Sequence, residues 1–230
     1  MRDVICNSAI FGAFISIAAF EIGLLIKRKF KIAILNPLLI AIIIVIILLR
    51  SLNISYNAYN NGAKYISYLL TPATVCLAVP LYKQLEILKN DWKAITVGVL
   101  SGVLASLGGV FVLSRLFGFT HEQYVTLLPK SITTAIGIGV SKELGGIESV
   151  TVGAILLSGI CGNMFAEIIC KVFRINEPVA KGIAIGTASH AIGTAKAMEM
   201  GEVEGSMSGL AIPVAGLVTV ILASVFSGFM

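Results

Sequence analysis

Five nearly uncharged apolar runs pattern the chain, at about 7–26, 32–49, 92–113, 149–170 and 206–229. Each approaches the roughly 20 residues a helix needs to cross a bilayer, so each predicts a transmembrane helix. Between them lie three apolar segments of a different kind, at about 66–82, 122–144 and 180–201. Proline, glycine, serine and threonine interrupt these: Leu69-Leu-Thr71-Pro72-Ala-Thr74, Leu127-Leu-Pro129-Lys130-Ser131, and Gly186-Thr187-Ala-Ser189-His190. Broken backbone at membrane depth leaves polar groups to be satisfied by protein or cavity water, and is kept where it lines a cavity.

Two of the broken segments say the same thing 56 residues apart. Ser131-Ile-Thr-Thr-Ala-Ile-Gly137 matches Thr187-Ala-Ser-His-Ala-Ile-Gly193, and Glu143, Gly145, Glu148 and Gly153 fall in register with Glu199, Gly201, Glu204 and Gly209. Across the 23 aligned positions seven are identical and two more pair Ser with Thr. Interrupted helices at corresponding places in two repeats point to a transporter binding site. Ordinary helix packing also uses Gly and Thr, but two copies in register favour a site.

Loop charge constrains the topology. The loops at 27–31, 83–93 and 171–181 hold four, three and three Lys/Arg, and the others hold two or one. The basic loops belong in the cytoplasm. They fall on one side only if 122–144 dips in and returns; re-entry of 180–201 rests on the repeat alone. The copies 122–170 and 180–229 would then run upside down relative to one another, with their breaks meeting near the midplane. The fold expected is an all-α polytopic membrane protein of about five to six full spans plus broken or re-entrant helices, a single integral domain over 1–230. Residues 1–115 supply N-terminal spans and 122–170 and 180–229 an inverted repeat.

Composition strengthens the membrane assignment. Of 230 residues, 57% are hydrophobic and 13% charged, and mean hydropathy is +0.96; a soluble domain carries about 45–50% apolar residues. The net charge of +5 sits in short loops beside spans, so no nucleic-acid partner is needed. The first run carries Glu21 and is followed by Lys27-Arg-Lys-Phe-Lys31, which reads as a retained span rather than a cleaved leader. Cys6, Cys76, Cys161 and Cys170 lie in or beside apolar runs without CxxC spacing, so neither a metal nor a redox pair is indicated. No HExxH, GxSxG or phosphate-binding loop is present, and the chain reads as a non-enzyme with no cofactor.

The candidate chemistry lies at the breaks. Thr133, Thr134, Ser189 or His190 would cap half-helices there, and a helix N-terminus favours an anion. Paired termini with hydroxyls beside them, from Ser131, Thr133, Thr134, Thr187, Ser189 and Thr194, suit a small anion. Lys130 stands well inside an apolar segment, where an ionisable group marks a pathway by default; its partner is either the ligand or Glu167, unless it snorkels to the interface. His190 either couples protons or serves as a hydrogen-bonded structural residue. Asn36, Asn163, Thr71 and Thr74 line the pathway or bind helices together. The acids after the breaks read as solvated, with Glu143 and Glu199 as a possible anchor of a moving element.

Four stretches also resemble the LrgB/CidB family, the bacterial counterpart of the C-terminal half of plastid glycolate/glycerate translocators. They are Asn36-Pro37-Leu-Leu, Thr71-Pro72-Ala-Thr74 with Ala78-Val-Pro-Leu-Tyr82, Leu128-Pro129-Lys130-Ser-Ile-Thr-Thr-Ala135, and Gly186-Thr-Ala-Ser-His-Ala-Ile-Gly-Thr-Ala-Lys196. The resemblance runs nearly end to end. It implies either a carrier of glycolate, glycerate, pyruvate or lactate, or a holin/antiholin-like regulator of murein hydrolase export and lysis. It also implies a multi-pass protein of the bacterial cell membrane, working beside a small LrgA/CidA-like partner. A homodimer is expected on the transporter plan.

Overall fold

The structure, a computed structural model, describes residues 10–30, 36–69, 72, 82 and 85–230. It divides into two compact units, Met1–Cys76 and Leu77–Met230. Among the described residues the chain is helical, without strands.

In the first unit α1 (Phe11–Phe30) packs on α2 (Pro37–Ser51) and α3 (Tyr56–Ser67). Lys27, Arg28 and Lys29 close the last turn of α1, where cations complement the helix dipole. Asn36 caps α2: its Oδ1 accepts from the Leu38 and Leu39 amides at 2.8 and 3.3 Å, and Pro37 takes the first helical position, where its missing N–H costs nothing. Two glycines let α1 approach closely, Gly12 against the backbone of Tyr59 and Gly23 against that of Pro37. The Ser16 and Tyr59 hydroxyls meet at 2.7 Å.

The second unit holds α4 (Leu85–Phe117), α5 (His121–Leu127), α6 (Thr134–Glu143), α7 (Glu148–Val172), α8 (Pro178–Met200) and α9 (Glu202–Ser227). Three helices among the described residues are long and apolar enough to cross a bilayer: Lys89–Phe117 within α4, α7 and α9. The shorter α2 is apolar as well. The sequence assigns residues up to 115 to N-terminal spans; here α4 packs on α8 and α9 and belongs with the repeats.

Both repeated segments fold back on themselves. Thr120 opens the first through a capping box, its Oγ1 accepting from the Gln123 amide while Gln123 Oε1 accepts from the Thr120 amide. After the turn at 128–133, α6 returns beside α5, so that a β-carbon on Gly137 would lie 3.5 Å from the Pro129 carbonyl. In the second, α8 breaks at His190 (φ 42, ψ −142), and a β-carbon on Gly193 would lie 3.3 Å from the Ile185 carbonyl. An unbroken helix would separate residues eight apart by about 12 Å, so the chain reverses. The two contacts, 129 with 137 and 185 with 193, occupy equivalent places in the 56-residue repeat.

Each hairpin base is closed by the long helix that follows it. At the first, Thr151 Oγ1 donates to the Ser141 hydroxyl at 2.6 Å and sits 2.9 Å from the Thr126 carbonyl, while Thr126 Oγ1 accepts from the Ile147 amide at 2.8 Å. The equivalents in the second copy are Gly182, Ala197 and Met207; Gly182 is seated against Met207, and Ala197 and Met207 are fully buried. At these equivalent positions one base is joined by polar bonds and the other by apolar packing.

The bases lie at opposite ends of α9. Tyr124 donates to the Phe226 carbonyl at 2.8 Å and His121 Nδ1 lies 2.8 Å from the Met230 carbonyl. The second hairpin meets the start of α9, through Met198 against Gly205 and Gly182 against the Glu204 backbone. The two tips approach the middle of α7 together: Gly137 faces Ile155, and His190 Nε2 is 3.1 Å from the Ile155 carbonyl.

Candidate functional site

Small residues shape α4 where the hairpins meet it. Gly98, Ser101, Gly102, Ala105 and Ser106 recur at helical spacing, placing them along one face. Gly98 takes Ile183 of the second hairpin, Gly102 takes Thr187, and one turn on Ser106 meets Ser131 of the first. Ser131 and Thr187 are equivalents in the repeat, so corresponding residues of the two tips contact neighbouring turns of one helix.

Between them runs a cleft of about 840 Å³. Lys130, Ser131, Ser106 and Thr187 line it together with the small residues of α4 and Ala184 and Ala188 of α8. Lys130 Nζ donates to Ser131 at 3.0 Å and to Ser106 at 3.3 Å, and the two hydroxyls are 2.9 Å apart. An ammonium carries three donors, one more than these hydroxyls take. Thr187 is buried, and its hydroxyl has no partner among the described residues. The arrangement presents a cation and hydroxyls to a mostly apolar space, which is chemistry for a small anion. Asp91 and Glu177 also line the cleft. Asp91 is fifteen residues before Ser106 on α4, about 22 Å along the axis.

The structure gathers some of the residues singled out from sequence and separates others. Lys130, Ser131 and Thr187 share the cleft. Thr133 is the N-cap of α6 by position, but its side chain makes no capping bond, and Thr134 begins that helix. Ser189 is pressed against Gly162 of α7, and His190 points its imidazole at Gly159 and the Ile155 carbonyl. These two therefore hold the tip to α7 rather than facing the cleft. Thr194 bonds the His190 carbonyl at 2.9 Å and the Ser208 hydroxyl at 2.7 Å, and Asn163 Nδ2 donates to the Ile192 carbonyl at 2.8 Å; both fasten the returning arm. Asn36 is a helix cap in the other unit. Thr71 and Thr74 lie outside the described residues.

Glu167, a partner for Lys130 in the sequence reading, bonds Lys171 at 3.0 Å and Lys196 at 3.3 Å instead. Lys196 also reaches Glu199 at 3.4 Å, and Lys181 stands 3.9 Å from Glu204. The Glu167–Lys196 and Lys181–Glu204 pairs clasp the base of the second hairpin, while Glu199 meets Lys196 on its own helix. Sequence reasoning missed Ser101 and Ser106. Their signal was the small-residue face of α4, which reads as close helix packing until the Lys130 turn is seen against it.

Comparison with known proteins matches residues 16–229 to the model of the LrgB-like family. Three relatives, two from Bacillus cereus (strains B4264 and AH187) and one from Bacillus anthracis, are each 37% identical over 220 residues, covering 95% of this chain and 96% of theirs. Each is named antiholin-like protein LrgB. No solved structure matches this chain.

Proposed function

Because the chain belongs to the LrgB-like family, we propose that it is an antiholin-like protein of the bacterial cell membrane, restraining murein hydrolase release and lysis beside a small LrgA/CidA-like partner. The observation that carries this reading is the alignment itself. Identity of 37% spans nearly the whole of both chains, so the match covers the complete architecture rather than one shared segment. In a Bacillus host lacking its own LrgB-like protein, expression of this chain is expected to slow detergent-induced autolysis and lower secreted hydrolase activity on a zymogram. Identical lysis curves with and without the chain would count against it.

The cleft favours a second reading at the molecular level: passage of a small monocarboxylate of the glycolate, glycerate, pyruvate or lactate type. Lys130 with Ser106, Ser131 and Thr187 supplies the recognition, and the opposed hairpins support an inverted-repeat carrier whose broken helices re-enter from opposite faces. Changes in lysis would then follow from altered carboxylate balance. Uptake of labelled pyruvate, lactate and glycolate into liposomes holding the purified chain tests this, with and without an LrgA-like partner. Saturable uptake is expected; leakage of large dyes without saturable uptake points to a pore.

A further inference from the structure

The two hairpins are equivalent in sequence register but not in what they present to α4. In the second, Ala180, Ala184 and Ala188 are exposed along the cleft. Subtracting 56 gives their counterparts in the first: Tyr124, Leu128 and Ile132. All three are buried to 2% exposure or less, in one core cluster with Leu107 and Val110 of α4. The Tyr124 ring meets Phe111 at 6.2 Å and its hydroxyl bonds the Phe226 carbonyl at 2.8 Å. The cleft therefore exists on one side of the tips because three alanines stand where the other copy carries three large side chains. On α4, Gly98, Ser101, Gly102 and Ala105 line the cleft beside these alanines, whereas Leu107, Val110 and Phe111 pack in the core cluster that holds the first hairpin.

We propose that the hairpins are unequal gates to the Lys130 site: the alanine face of the second admits solute, and Tyr124, Leu128 and Ile132 of the first form the plug that must leave α4 for the opposite end to open. Motion between the two states would break the Tyr124–Phe226 bond and separate Tyr124 from Phe111. The Glu167–Lys196 and Lys181–Glu204 pairs hold the base of the second hairpin while the first moves. The meaning of the gates rests on the small-carboxylate reading, but their existence is tested without any flux.

Ala105 lines the inner part of the cleft. In a cysteine-free background, Ala105→Cys is expected to react with a membrane-impermeant thiol reagent from one face only. That face is the one carrying the basic 171–181 loop, the cytoplasmic side by charge. Adding Ala184→Leu should slow the reaction by about tenfold or more, since a filled close-packed space excludes the reagent. Ala188→Val is the milder filling variant and keeps the test alive should the leucine variant not assemble. The paired change Leu128→Ala with Ile132→Ala should admit labelling from the second face. Equal labelling from both faces in the parent, or a rate unmoved by both filling variants, overturns the gates. Carboxylate uptake in the same vesicles reports separately: one-sided labelling without uptake removes the substrate and leaves the gates, and uptake with two-sided labelling does the reverse.

Discussion

Lys130→Met is expected to lower small-carboxylate uptake by about 10- to 100-fold while the protein stays inserted and folded. Hydrogen bonds to charged groups contribute about 1.5–3 kcal/mol, and each 1.4 kcal/mol is about tenfold in affinity. The ammonium is held by Ser131 and Ser106, and no salt bridge to it is present among the described residues, since Glu167 is engaged by Lys171 and Lys196. An unpaired cation in a mostly apolar cleft carries a desolvation cost that a bound anion would relieve. Methionine removes that cost, so thermal stability in detergent should hold or rise as uptake falls. Lys130→Arg keeps the charge but replaces a compact ammonium with a planar fork, and should fall between parent and methionine. A lysine that merely snorkels would leave uptake unchanged in all three proteins, and that outcome would remove Lys130 from the site.

Gly186→Leu is expected to destabilise the second hairpin more than any substitution at the cleft. A β-carbon at Gly186 would run into the Ser208 carbonyl and lie 2.9 Å from Ala211 Cβ. The first obstacle is backbone, which cannot rotate away. Overpacking of this kind costs about 1–3 kcal/mol and sometimes more. For a chain of this length each kcal/mol lowers the melting temperature by roughly 2–4 °C, so a fall of roughly 6–12 °C is expected at the upper end. Gly139 is the internal control: it is exposed on α6, and a β-carbon there would meet nothing within 4 Å. Gly139→Ala should be neutral or gain up to about 1 kcal/mol from helix propensity. Equal melting temperatures for the two variants would mean that the α8–α9 packing described above is wrong.

Much of this architecture was legible in the chain. Hydropathy located the helices α1, α2, α4, α7 and α9, and of these α4, α7 and α9 carry the long apolar run that crossing a bilayer demands. The repeat marked both breaks: the turn at 128–133 runs into the repeated motif, and the kink at His190 falls inside it. The site was legible only in part. Lys130, Ser131 and Thr187 share the cleft, whereas Ser189 and His190 turn to α7. One residue with φ of 42° sets that direction, and no count of hydroxyls could supply it. Thr133 takes the N-cap position of α6 without a side-chain capping bond, a detail that residue type alone could not supply.

Helix positions, the paired interruptions and family membership follow from local apolarity and from similarity along the chain, so the sequence by itself determined them. Which of two equivalent faces opens was decided by tertiary structure. Ala180, Ala184 and Ala188 are unremarkable residues for a membrane helix, and so are Tyr124, Leu128 and Ile132. Their consequence appears only when both sets are laid against one helix, the alanines beside Gly98, Ser101, Gly102 and Ala105 and the large residues in one cluster with Leu107, Val110 and Phe111. An empty space is a property of two surfaces together, and each surface taken alone carries only half of the information.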